Sequence, residues 1–96
     1  MEDNKCVILD LTDCRYLGEL HQRIKVAFDF PDYYGENWDA LWDCLDGLFY
    51  DDGKVVVEIY GISSLNEELK NAVKPMFGVF KDVSVNTPNV EFVIVS

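Results

Sequence analysis

The chain has 96 residues, 49% hydrophobic and 14% aromatic, which suits one globular domain with a modest core and leaves no room for a second. With 18 acidic against 8 basic residues the formal net charge is -10, which argues against nucleic acid and anionic lipid, both polyanions, and favours a basic protein as partner. The chain opens MEDNK and enters CVILDL, too short an apolar run for a signal peptide and followed by no small-residue cleavage site. No window reaches the length of a membrane span, so the expectation is a soluble, cytoplasmic protein with no membrane partner.

In chain order, the β-branched run Cys6 to Leu11 predicts a first strand. Leu17, Leu20 and Ile24, with Ala27 and Phe28, recur at helical spacing and predict a first helix, with Pro31 at its boundary. A second helix is predicted from about Glu36 to Phe49, after which the Asp51-Asp52-Gly53 turn delivers the chain into a second strand, Val55 to Tyr60. Ser64 followed by Glu67 reads as a capping box ahead of Leu65 and Leu69. Val73, Met76, Phe77 and Phe80 predict a fourth helix, in which Pro75 is acceptable only within the first turn. Pro88 marks a turn before a third strand, Val90 to Val95.

The order βααβααβ joins successive strands by long helical crossovers, which parallel strands require and hairpins do not. The expected fold class is therefore α/β. A single two-layer domain over residues 1–96 is expected, with a three-stranded parallel sheet in the order 1-2-3. About four helices should cover one face of it if both crossovers are right-handed.

Between Lys25 and Lys54 there is no basic residue but eight acidic ones, and Glu36, Asp39, Asp43 and Asp46 fall at the 3-4-3 spacing of one helix face. Trp38, Leu41, Leu45, Leu48 and Phe49 share the other face, predicted to be core. Such a stripe destabilises the free helix through like-charge pairs, and Asp46 near the C-terminal end opposes the helix dipole. A solvated face is the usual fate of a charge run, but ordinary exposed helices intersperse lysine or arginine, absent here. Trp42 lies on the border between core and acids, at an angle that permits either a core or an interface role. Tyr33 and Tyr34, beside Gly35, are expected to be exposed, adding aromatic contact area next to the carboxylates.

Three widely spaced cysteines, Cys6, Cys14 and Cys44, with a single histidine, His21, support neither a disulfide framework nor a zinc site. Reduced, small apolar fillers are expected. No loop shows calcium-ligand spacing, so no metal and no cofactor are expected. His21 lies in a helical stretch with no triad partner, and the chain is not expected to be an enzyme, although paired carboxylates such as Asp39 and Asp43 could in principle do acid/base work.

The segment Pro31 to Gly47, nearly continuous in YYGEN-DALWDCL-G, resembles the barstar family, intracellular inhibitors of the secreted ribonuclease barnase. Leu20-His21-Gln22, the VVVE strand, Val79-Phe80 and the closing VIVS extend the likeness along the whole chain. The resemblance implies a plug: the tyrosine-rich loop and second helix enter the ribonuclease active site, and Asp43 takes the place of an RNA phosphate among the enzyme's arginines and histidine. It implies that Tyr33 packs on that catalytic histidine, that Tyr34, Asn37, Asp39, Trp42 and Gly47 make supporting contacts, and that Asp82 of the fourth helix meets a further basic group. With Gly35 and Asp46 these complete the expected partner-facing set. The expected partner is a basic, barnase-like extracellular ribonuclease or a related toxin, bound 1:1 by a protein that is monomeric when free.

The chain departs from the family pattern on the rim. Asp46 and Leu48 stand where the prototype has threonine and tryptophan around the glycine, Asn86 replaces a second acid, and the loop before the second strand is longer. An alternative keeps the fold and changes the job: an acidic nucleic-acid mimic or regulatory adaptor that binds another basic protein.

Overall fold

The computed structural model describes residues 5–32 and 34–95. The chain runs β1 (Lys5–Asp10), α1 (Leu17–Phe28), α2 (Trp38–Leu45), β2 (Val55–Tyr60), a 3-10 turn (Ile62–Ser64), α3 (Glu67–Ala72), α4 (Lys74–Asn86) and β3 (Val90–Ile94). The strands pair in parallel in the order β1-β2-β3. The expected α/β architecture is present, with β1 starting and ending one residue earlier than the apolar run suggests.

Register explains the single core. Val57 pairs with Val7 on one side and Phe92 on the other, and Ile59 pairs with Leu9. Side chains alternate across a sheet, and along β2 Val55, Val57 and Ile59 are buried while Val56, Glu58 and Tyr60 are half-exposed. α1 packs on β1, α4 on β3, and α2 on α4. Phe28 joins these parts, its ring lying 5.4 Å from Phe30 and 6.2 Å from both Phe49 and Phe80. Pro75 sits in the first turn of α4, where its missing N–H has no intrahelical partner to lose.

α2 is shorter than the predicted Glu36 to Phe49. Glu36 has a left-handed backbone (φ 52), and Asn37 is the N-cap, its side chain accepting from the Ala40 N–H at 2.7 Å. Asparagine is among the best N-caps and a mediocre interior residue, so it displaces the start by two positions. At the other end Asp46 is extended and Gly47 left-handed (φ 81), a backbone glycine adopts without a Cβ penalty. Glu36 and Asp46 therefore lie off the helix, and only Asp39 and Asp43 share its face. The periodicity also fails beyond Leu45: Leu48 is exposed, Phe49 reaches the core from a turn, and Trp38 is half-buried rather than buried.

The expected capping box is also replaced. Asn66 caps α3, accepting from Leu69 N–H at 2.8 Å, while the Ser64 hydroxyl donates to the Gly61 carbonyl and accepts from the Asp13 N–H. The loop before β2 is held from the residue that precedes the neighbouring strand β3: the Asn89 amide donates to the carbonyls of Phe49, Asp52 and Gly53 at 2.9, 3.0 and 2.9 Å. Cys14 is buried, Cys44 half-buried and Cys6 exposed, so the filler role expected of all three fails for Cys6. All three thiols are free. Among the described residues no helix is long and apolar enough to cross a membrane.

Candidate partner interface

The candidate interface is built on α2 and the loop before it. Leu41 and Leu45 anchor the helix in the core, which by helical spacing turns Asp39 and Asp43 outward; both are exposed. Trp42 is half-buried and packs against the core while keeping part of its surface free. Asp46 and Gly47 follow as an exposed turn, and Gly35 and Asn37 are exposed at the N-terminal end. Asp82 is exposed on α4, on the flank away from the groove that Phe77, Lys81 and Ser84 form with β3.

Electrostatically the surface is bare. The ion pairs among the described residues join Lys5 to Asp52, Arg23 to Glu19 and Lys25 to Asp32, and none uses Asp39, Asp43 or Asp46. Neither Lys54 nor Lys81 pairs with them. α2 has no basic residue in its last turn, so unsatisfied carbonyls and Asp46 add negative potential at one end. Asp39, in the first turn, is the acid that the dipole favours. Glu36, the fourth member of the expected stripe, instead accepts a hydrogen bond from the Gln22 amide at 2.7 Å.

Tyr34 is the main correction at the site. It was expected to be exposed, yet it is 6% accessible, and its hydroxyl lies 2.8 Å from His21 Nδ1. Its ring packs 5.1 Å from Phe30, and its N–H closes a turn on the Pro31 carbonyl. Burial pushes the Tyr34 phenol well above its ordinary value. Tyr33 lies outside the described residues.

His21 is 2% accessible, and its ring lies 4.6 Å from that of Trp38. Burial lowers its pKa, the nearby Glu36 carboxylate working the other way. The imidazole packs against Tyr34 and Trp38. Burial, and then Asp43, push the Cys44 thiol up, so it is a poor thiolate. Among the described residues no group of three or more His, Cys, Asp or Glu could hold a metal ion. A groove of about 960 Å³ between α4 and β3 has no α2 residue in its lining. What the α2 surface offers is hydrogen-bond acceptors and negative charge beside a partly exposed indole.

Two contacts escaped the sequence reading: Tyr34 with His21, and Glu36 with Gln22. Their only sequence signal was Leu20-His21-Gln22, part of the family likeness and uninformative as periodicity.

The family model described as Barstar (barnase inhibitor) matches residues 4–96. The chain belongs to the barstar family. Its three-stranded parallel sheet and helices are the barstar-family fold. A curated relative named "Putative ribonuclease inhibitor YrdF", from Bacillus subtilis (strain 168), is 54% identical over 41 residues, 43% of this chain and 45% of the relative. The chain thus spans less than half the length of the curated relative that it matches.

Proposed function

We propose that this protein inhibits a basic, barnase-like secreted or toxic ribonuclease by plugging its active site with α2 and the loop before it. The observation that carries the reading is the pair of exposed carboxylates on α2, Asp39 and Asp43, which take part in no ion pair among the described residues and have Trp42 beside them. An ionised carboxylate only accepts hydrogen bonds, and guanidinium groups donate to it in bidentate, charge-assisted pairs. RNA phosphate makes the same demand of the same enzyme groups, so Asp43 at the centre mimics phosphate. Asp39, Asn37, Gly35, Trp42, Asp46 and Gly47 surround it, Asp82 meets a further basic group, and Tyr33 packs on the catalytic histidine. Tyr34, being buried, supports the loop from within.

The protein acts in the cytoplasm as a single-domain monomer, binds its enzyme 1:1 and needs no cofactor. It carries out no chemistry of its own. Family membership and the inhibitor name of the relative support the reading. Titration of the purified protein into a barnase-type ribonuclease tests it: RNA cleavage should fall linearly to zero at one equivalent. Undiminished cleavage, with retention of a different basic protein in a pull-down, would favour the adaptor alternative.

A further inference from the structure

Three positions precede α2, and each is held by a different device. Tyr34 is held by His21, Glu36 by Gln22, and Asn37 by its own cap to Ala40 N–H together with a bond from its amide to the Gly35 carbonyl. The first two holders are consecutive residues of α1, one pointing into the core and one exposed. Between their grips the backbone passes through Gly35 to Glu36, whose left-handed φ of 52 is uncommon for a residue with a Cβ and persists only where surroundings enforce it. His21 also carries the Trp38 ring at 4.6 Å, so the first residue of α2 rests on the same support. Neither contact serves charge display, because His21 is buried and Gln22 is neutral.

We infer that His21 and Gln22 are positioning residues for partner recognition: α1 fixes the segment Tyr34–Glu36, and through it the start of α2 and the aim of Asp39 and Asp43. Preorganisation of this kind contributes to affinity by removing an ordering cost that binding would otherwise carry. Charge and aim are thereby assigned to different residues. Gln22→Ala keeps every charge and loosens the loop. Glu36→Gln removes a charge and keeps an acceptor for the Gln22 amide. Tyr34→Phe removes the hydroxyl while keeping the ring in its place.

The consequence for binding rests on the ribonuclease-inhibitor reading, so the experiment has one arm without a partner. In the free protein, amide hydrogen exchange is measured in wild type, Gln22→Ala, Tyr34→Phe and Glu36→Gln. For Gln22→Ala and Tyr34→Phe, exchange at the hydrogen-bonded amides that bracket the segment, Tyr34 on one side and Ala40 and Leu41 on the other, should rise about three- to tenfold, the range expected for losing one hydrogen bond, with β2 amides unchanged. Glu36→Gln should leave exchange close to wild type.

In the second arm, against a purified barnase-type ribonuclease, the first two variants should lose about three- to tenfold in affinity, with the salt slope of association unaltered. Unchanged local exchange overturns the inference. So does a rise spread over the whole chain, which marks a merely structural role, and so does faster local exchange with undiminished affinity. Failure of the wild-type chain to bind the enzyme counts against the inhibitor reading instead, and is distinguished by the exchange arm.

Discussion

Asp39 and Asp43 stand one helical turn apart on the exposed face of α2, above the buried Leu41 and Leu45, and neither takes part in an ion pair among the described residues. Two like charges at i,i+4 cost a few tenths of a kcal/mol, and aspartate is about 0.5 kcal/mol poorer than alanine inside a helix. Asp43→Ala should therefore leave the free protein as stable as wild type or slightly more so in urea unfolding. In the proposed complex the same change should strand enzyme guanidinium groups without a partner. The loss for such truncations is about 2 to 5 kcal/mol or more, a range drawn partly from barnase and barstar themselves. A variant more than about 1 kcal/mol less stable would make the carboxylate structural, and unchanged inhibition would remove it from the centre of the interface.

An acidic surface facing a basic active site should steer the encounter. Association at low salt should exceed the roughly 10⁵ to 10⁶ M⁻¹s⁻¹ of unsteered proteins. It should then slow steeply as the Debye length falls from about 30 Å at 0.01 M to about 3 Å at 1 M. Stopped-flow rates across that range, with dissociation measured by competition, check this. An association rate indifferent to salt is the contrary outcome.

The strands and their order were legible because each is a β-branched run and the crossovers demand parallel pairing. Leu41 and Leu45 were legible as core because periodicity holds while the helix lasts. The ends of α2 were not, because Asn37 competes with Glu36 as first residue, and Gly47 ends a pattern that Leu48 and Phe49 continue in letters only. The inward turn of Tyr34 depends on a histidine 13 residues away, and the grip of Asn89 spans 36 to 40 residues. Local spacing carries no signal for such pairs. The exposure of Asp39 and Asp43 was readable because Leu41 and Leu45 mark the opposite face of the helix as core, and the segment between Lys25 and Lys54 holds no basic residue to pair with them locally.

Asn89 gathers three carbonyls of the loop between α2 and β2, so its loss should be felt as stability rather than recognition. Removing the donor leaves acceptors short of a partner at about 1 to 3 kcal/mol. Asn89→Asp should be worse than Asn89→Ala, since it points a carboxylate at those carbonyls on a chain that is already strongly acidic. Urea midpoints with an unchanged m-value would show a pure stability effect. Equal midpoints for all three proteins would mean that the loop holds itself.

Two glycines separate strain from crowding. Gly61 and Gly47 are both left-handed (φ 85 and 81), but a Cβ on Gly61 would lie 2.3 Å from the Thr12 nitrogen, whereas one on Gly47 meets nothing within 4 Å. Gly47→Ala should cost about 1 to 2 kcal/mol from backbone strain alone. Gly61→Ala should cost distinctly more, because Thr12 or the turn after β2 must move. Thermal unfolding of the two variants side by side gives the ranking, and a reversed order would refute the close approach at Thr12.

His21 should make stability fall on mild acidification. Its folded pKa is depressed from the ordinary 6.5, first by burial and against the opposing pull of Glu36. The unfolded chain therefore binds a proton more readily than the native one, and stability rises with pH wherever that holds. The contribution of neutral His21 is complete above about pH 6.5 and is lost progressively as pH falls from there through the lowered folded value. The cost stops growing below that value. Each unit of depression corresponds to about 1.4 kcal/mol between the two ends of the window. Asp10, held below its ordinary 3.8 by the Thr12 side-chain and backbone hydrogen bonds, titrates in a separate and more acidic range. His21→Gln retains a hydrogen-bonding group for Tyr34 and does not titrate. Urea unfolding of both proteins between about pH 7.5 and 5 should therefore show wild type losing stability relative to the variant as pH falls. A difference that stays flat, or that grows in favour of wild type, would mean that the imidazole protonates in the native state without penalty.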